Sequence, residues 1–206
     1  KSLKRLTVAE LERKYGISLH PPPLLVTFHP VTLEYEHTHQ QISELLEALK
    51  TFDLPIIFTM PNADTSGRVI AQAIKEFVGD HPSRCFVENF GVRDYLSMMT
   101  YTGVMVGNSS SGIIEAPSLG LPVVNIGTRQ RGRTRAANVI DVGYGRQEIT
   151  DAINKALQPT FRDGLRDLVN PYGAGNAAAL IVERLKTAPL TEESILSKKF
   201  HDIIHL

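Results

Sequence analysis

The chain has no tryptophan, only one cysteine and no surplus of either charge, with 22 Lys and Arg against 22 Asp and Glu in 206 residues. A lone Cys85 cannot close an internal disulfide, which excludes a disulfide-stapled secreted scaffold and makes a cytoplasmic setting the expectation. Zero formal charge argues against bulk nucleic-acid binding, which draws on an excess of Lys and Arg, while leaving room for one small basic pocket. The longest apolar runs are about five residues, as in Leu24–Phe28, far short of the ~20 that span a bilayer. Neither a membrane span nor a signal peptide is expected. Charged residues at 21% and apolar residues at 42% are ordinary for a globular chain, and this length fits one sizeable core or two small ones.

What is present is an alternation of short apolar runs and amphipathic segments. Leu24–Phe28, Ile56–Met60, Cys85–Val87, Val104–Val106, Pro122–Ile126 and Asn138–Val142 read as strands. Residues 38–50 place Ile42, Leu45, Leu46 and Leu49 on one helical face, and Gly67–Val78, Arg93–Tyr101 and Ser111–Leu119 read as further helices. Thr7 with Glu10 has the spacing of a capping box at the head of an N-terminal helix. Continuous apolar strands separated by helices predict a doubly wound, Rossmann-like α/β fold around a parallel sheet. Helices are also expected over Ile149–Leu157 and Asn176–Lys186, with a polar loop from Pro159 to Gly175 between them and a helical tail over 189–206.

In an open parallel sheet, ligands bind beyond the carboxyl ends of the strands, so the loops there come first. His29 follows the first strand, and Pro61-Asn62-Ala63-Asp64 follows the second. The strongest segment is Gly107-Asn108-Ser109-Ser110-Ser111-Gly112-Ile113-Ile114-Glu115, which joins a strand to a helix. Small residues admit close backbone approach, and hydroxyls beside helix-start N–H groups suit an anion. The segment is neither a Walker A loop nor a GxGxxG fingerprint nor a nucleophile elbow. A plain serine N-cap is the competing reading. Glu115, one turn further, would repel phosphate but could accept from both hydroxyls of a ribose. Gly127-Thr128-Arg129-Gln130-Arg131-Gly132-Arg133 sets three arginines within five residues beyond another strand end. Together these loops predict a nucleoside diphosphate over Ser109 and Ser110, neutralised by His29 and Arg129, with Glu115 on the ribose. The pairs His37/His39 and His201/His205 lack companion ligands, so no metal is expected, and Cys85 is expected to be a buried core residue.

His29-Pro30-Val31, Pro61–Asp64, the block Gly107–Arg133 and Asn170–Ala177 resemble the C-terminal half of UDP-N-acetylglucosamine 2-epimerases over nearly the whole chain. His-Pro-Val resembles the hydrolysing branch, whereas the non-hydrolysing branch usually carries His-Arg-Arg-Glu there. The resemblance implies one half of a GT-B-type two-domain enzyme that converts UDP-N-acetylglucosamine to N-acetylmannosamine and UDP for sialic-acid synthesis. It implies UDP or UDP-N-acetylglucosamine as ligand, with His29 catalytic and Asn62, Ser109, Ser110, Glu115 and Arg129 binding substrate. It also implies that the backbone near Phe90 meets the uracil. No cofactor, metal or nicotinamide is implied. Residues 1–188 would form the UDP-binding domain, inactive or nearly so without an N-terminal domain that carries most of the acid/base carboxylates. A homo-oligomer is expected. Ala174 departs from the aspartate that relatives often carry. The alternatives are the donor-binding domain of a GT-B glycosyltransferase, a non-hydrolysing epimerase and a non-catalytic nucleotide-sugar sensor. The chain opens at Lys1 rather than Met, in keeping with half an enzyme.

Overall fold

Side chains alternate across a strand, and here the alternation sends apolar residues to both faces of one sheet. In a computed structural model, which describes residues 3–62 and 65–188, Leu24 and Val26 join one core and Leu25 joins the other. The strands are β1 (Leu24–Thr27), β2 (Ile56–Thr59), β3 (Arg84–Val87), β4 (Val104–Gly107), β5 (Val123–Ile126) and β6 (Val139–Val142). All pair in parallel, in the order β3-β2-β1-β4-β5-β6. The doubly wound parallel sheet expected from the sequence is present, and its strand order reverses between β1 and β4.

The helices are α1 (Val8–Tyr15), α2 (Thr38–Leu49), α3 (Thr65–Val78), α4 (Gly91–Tyr101), α5 (Ser111–Ile114), α6 (Arg146–Leu157), α7 (Pro159–Asp163) and α8 (Ala177–Thr187). The faces of α2, α3 and α6 bring Ile42, Leu45, Ile70, Ile74, Ile149 and Ile153 onto the first core. Leu11 of α1 and Met98 and Met99 of α4 build the second. The Thr7 capping box forms as expected: the Thr7 hydroxyl accepts from the Glu10 N–H, and the Glu10 carboxylate accepts from the Thr7 N–H at 2.8 Å. Buried Asp94 of α4 accepts from Lys14 (2.5 Å) and from the Tyr15 hydroxyl (2.9 Å), tying α1 to α4.

Three expectations need correction. The helix over Ser111–Leu119 is two pieces, because α5 ends at Ile114 and a 3₁₀ turn, Ala116–Leu119, follows with Pro117 near its start; proline lacks the N–H that a continuing α-helix needs. The segment after Leu157 is not all loop, since Pro159 opens α7, the helix position at which its missing N–H costs nothing. Cys85 is half-buried against the second core rather than enclosed in it, and burial pushes its thiol up to about 11. The tail over 189–206, with His201 and His205, lies outside the described residues.

The chain divides into two units, Lys1–Tyr172 with the sheet, and Gly173–Leu206 with α8, whose Leu180, Ile181, Val182 and Leu185 are all exposed. Among the described residues, no helix is long and apolar enough to cross a membrane.

The seam between β1 and β4 is unusually close. Gly107 pairs with Thr27 at φ +129°, and a Cβ placed on it would lie 2.0 Å from the Thr27 carbonyl oxygen. Gly107→Ala is therefore expected to destabilise the protein by about 3 kcal/mol or more. Urea unfolding measures this, and a loss below about 1 kcal/mol would contradict the close approach.

Candidate functional site

Where the sheet order reverses, the loops that leave β1 and β4 have backbone groups to satisfy. Asn108, fully buried, meets this need. Its N–H donates to the Thr27 carbonyl (3.0 Å). Its side-chain oxygen accepts from the His29 N–H (2.7 Å), and its amide nitrogen donates to the His29 carbonyl (2.8 Å). Its own carbonyl accepts from Arg129 Nη1 (3.0 Å) and Gln130 Nε2 (2.8 Å). One residue thus joins the loops after β1, β4 and β5. The ring of His29 is set by a further bond, in which Nδ1 accepts from the Asn62 N–H at 3.1 Å. With Nδ1 as acceptor, a neutral imidazole carries its proton on Nε2 and presents that nitrogen as a donor.

Beside this seam opens a cleft of about 470 Å³. Its floor is Thr27 and Thr59, whose hydroxyls meet at 2.7 Å. His29, Ser109, Ser111 and Glu115 stand on one side, and the segment from Val87 to Val92 on another. That segment turns tightly: the Gly91 N–H donates to Asn89 Oδ1 (2.7 Å), and Gly91 sits at φ +66°. Phe90 is packed between Tyr15 and Tyr95. The cleft therefore has an apolar aromatic part and a part lined by hydroxyls and a carboxylate, as small-molecule sites commonly do.

Glu115 is the exceptional group. Its Oε2 is buried and has no hydrogen-bond partner. Burial raises its carboxyl above the usual range, against a hydrogen bond with Ser111 that lowers it. Tyr95 lies alongside, raised mainly by burial and further by the Glu115 charge, and lowered by bonding to Ser111, Thr27 and Ser109. Glu115 lines the cleft with one carboxylate oxygen buried and unpaired, an arrangement that costs about 1–3 kcal/mol or more.

The residues expected from sequence are brought together unequally. His29, Ser109 and Glu115 share the cleft wall. Ser110 stands just beyond it as the residue preceding α5. Its side chain does not cap that helix; Ser109 Oγ accepts from the Ser111 N–H instead, at 3.3 Å. Asn62 touches His29 through its backbone and lines a separate depression with Arg68 and Lys75. Arg129 reaches the site through the Asn108 carbonyl. Arg131 and Arg133 are exposed. Arg135 holds the loop's shape, bonding Asp141 (2.9 Å) and the carbonyls of Arg133 and Gln130. Among the described residues, no group of His, Cys, Asp and Glu could hold a metal ion. Asn108, Thr27, Thr59 and Tyr95 join the site without having been expected from the sequence. For Asn108 the signal was there, an amide side chain set between the Gly that ends a buried strand and a serine run.

The family model described as UDP-N-acetylglucosamine 2-epimerase matches residues 3–186. The polysialic acid biosynthesis protein P7 of Escherichia coli is 38% identical over 94% of this chain and 49% of its own length. A UDP-N,N'-diacetylbacillosamine 2-epimerase (hydrolyzing) of Legionella pneumophila is 35% identical over 90% of this chain and 48% of its own length. The chain thus spans about half the length of these curated relatives. The crystal structure of the Neisseria meningitidis UDP-GlcNAc 2-epimerase bound to UDP-GlcNAc aligns with a TM-score of 0.69 at 20% identity, over 86% of this chain and 48% of that one, a likeness of fold. With the match running almost end to end, the chain belongs to the UDP-N-acetylglucosamine 2-epimerase family.

Proposed function

We propose that this chain is the nucleotide-binding half of a hydrolysing UDP-N-acetylglucosamine 2-epimerase, and that UDP or its N-acetylglucosamine conjugate occupies the cleft beside the β1/β4 seam. The observation that carries this reading is the Glu115 carboxylate, which lines that cleft and has one oxygen unpartnered. A ribose offers the paired hydroxyl donors that such an oxygen lacks. The aromatic part of the cleft, with the turn at Asn89–Gly91, suits a base, and in this reading the diphosphate lies towards Ser109, Ser110, His29 and Arg129. His-Pro-Val after β1 and the hydrolyzing relative from Legionella both support the hydrolysing branch.

In the reaction proposed, the C2 proton of the sugar is removed as the C1–O bond to UDP breaks, leaving a glycal. Water then adds across the double bond to give the free 2-epimer, N-acetylmannosamine. Charge develops on the departing diphosphate, so this half's task is to receive it. Nε2 of His29, kept as the donor by the Asn62 contact, and the hydroxyls of Ser109 and Ser110 would meet that charge as preorganised groups. Proton removal at C2 falls to carboxylates of the other half, and assembly into a homo-oligomer belongs to the same reading.

Calorimetric titration of the chain with UDP is expected to show one site. Glu115→Ala and Ser110→Ala should each weaken it, about tenfold or more for Glu115, in line with loss of hydrogen bonds to a charged group. Unchanged binding in both variants would overturn the assignment. The complete protein is expected to release free N-acetylmannosamine and UDP from UDP-N-acetylglucosamine, and the isolated chain none. Sugar transfer to an acceptor without free sugar would instead favour a glycosyltransferase donor domain.

A pH prediction follows from Glu115. Its carboxyl is raised by burial in the folded state, so folding favours the protonated form. The penalty is full above the folded-state pKa and fades as pH falls towards the unfolded carboxylate range. Glu115→Gln should therefore raise the melting temperature at pH 7.5 and lose that advantage near pH 4. An advantage independent of pH would contradict the burial account.

A further inference from the structure

A second set of polar side chains, outside the cleft wall, converges on Glu34. This residue lies in the 3₁₀ segment Thr32–His37 that follows His29, and its backbone there departs from helical geometry (φ −126°, ψ 23°). Its carboxylate accepts three bonds. The Thr128 hydroxyl donates to Oε1, and the Tyr144 hydroxyl (2.6 Å) and Gln41 Nε2 (2.8 Å) donate to Oε2. The Tyr144 oxygen in turn accepts from the Thr128 N–H at 3.3 Å. The ring of Tyr144 lies against Gly127, which sits at φ +72°. A Cβ there would come within 2.1 Å of the ring. Thr128 is thus held at both its hydroxyl and its N–H, and Gly127 leaves the space that allows it.

The next residue is Arg129, bonded to the Asn108 carbonyl, and Asn108 is bonded on both sides of its amide to His29. The contacts close a ring: His29 to Glu34 along the chain, Glu34 to Thr128, Thr128 to Arg129 along the chain, Arg129 to Asn108, and Asn108 to His29. Loops after β1, β4 and β5 become one unit through it. Burial works against the charge of Glu34, but the bonds from Thr128, Tyr144 and Gln41, with help from His37, bring its carboxyl below the usual range. An ionised carboxylate accepting from three donors makes strong, directional bonds.

We infer that Glu34 is a positioning residue, one that holds the Thr128–Arg129 strap in register with His29 and so sets the end of the site that receives a diphosphate. Glu34 is not part of the cleft lining and acts through Thr128 and Tyr144. The inference rests on the proposed nucleotide reading and deepens it, because it separates residues that serve the base and ribose from residues that serve the phosphates.

The test compares UDP with uridine on the full chain, using calorimetry for UDP and saturation-transfer NMR for uridine. Glu34→Gln keeps the side chain's size but turns one acceptor into an NH₂ group facing hydroxyl donors. It should weaken UDP about tenfold and leave uridine within about twofold. Tyr144→Phe, which preserves the ring on Gly127, should weaken UDP by a smaller factor with the same selectivity. Hydrogen exchange of residues 127–131 should quicken in both variants without ligand. Equal losses for UDP and uridine would mean a general structural role and overturn the inference, as would unchanged UDP affinity in both variants. Failure of the unsubstituted chain to bind either compound would instead bring down the nucleotide reading and this inference together. Uridine binding without a gain from the diphosphate would overturn this inference alone.

Discussion

A single buried carboxamide holds the centre of this structure together. Asn108 lies where the sheet order reverses, and parallel strands that run to either side of such a point leave a gap at their carboxyl ends. Its side chain binds the loop after β1 through both backbone groups of His29, and its carbonyl receives Arg129 and Gln130 from the loop after β5. A buried amide of this kind is stabilising only when its partners are present, and the bonds to His29 and Arg129 also constrain residues proposed to meet ligand. The seam is tightened further by Gly107, whose missing side chain lets β4 lie against the Thr27 carbonyl.

From that seam the chemistry divides in two. On the side of β1, β2 and β3 the cleft has an aromatic part and a carboxylate, Glu115, with an unpartnered buried oxygen. On the side of β5 the donors collect, with Arg129 held against Asn108 and Thr128 tied to Glu34. A ligand with two hydroxyls at one end and negative charge at the other matches this division.

The fold was legible in the sequence because its strands are buried on both faces, so Leu24–Val26, Ile56–Phe58 and Val104–Val106 appear as unbroken apolar runs. The helices were legible through their spacing, as in Ile42, Leu45, Leu46 and Leu49. Short segments were not: α7 is five residues long, and α5 gives way to a 3₁₀ turn, lengths at which periodicity carries little information. Of the site, His29, Ser109 and Glu115 were found from their place after strands. The position of Asn108 between a strand-ending Gly and a serine run marks it locally, but its partner His29 lies 79 residues away and only the fold shows it. Glu34 lies 94 residues from Thr128 and 110 from Tyr144, a convergence that no local pattern reports. The three arginines within five residues after β5 differ in their surroundings: Arg129 bonds the Asn108 carbonyl, while Arg131 and Arg133 are exposed.

The central claim is that a nucleoside diphosphate lies across the β1/β4 seam with its ribose on Glu115. A crystal structure of the chain soaked with UDP tests it most directly. The account predicts ribose hydroxyls within hydrogen-bond distance of the Glu115 carboxylate, with the phosphates beside Ser109, Ser110 and His29. UDP bound elsewhere on the chain, or in this cleft with its ribose turned away from Glu115, would contradict it.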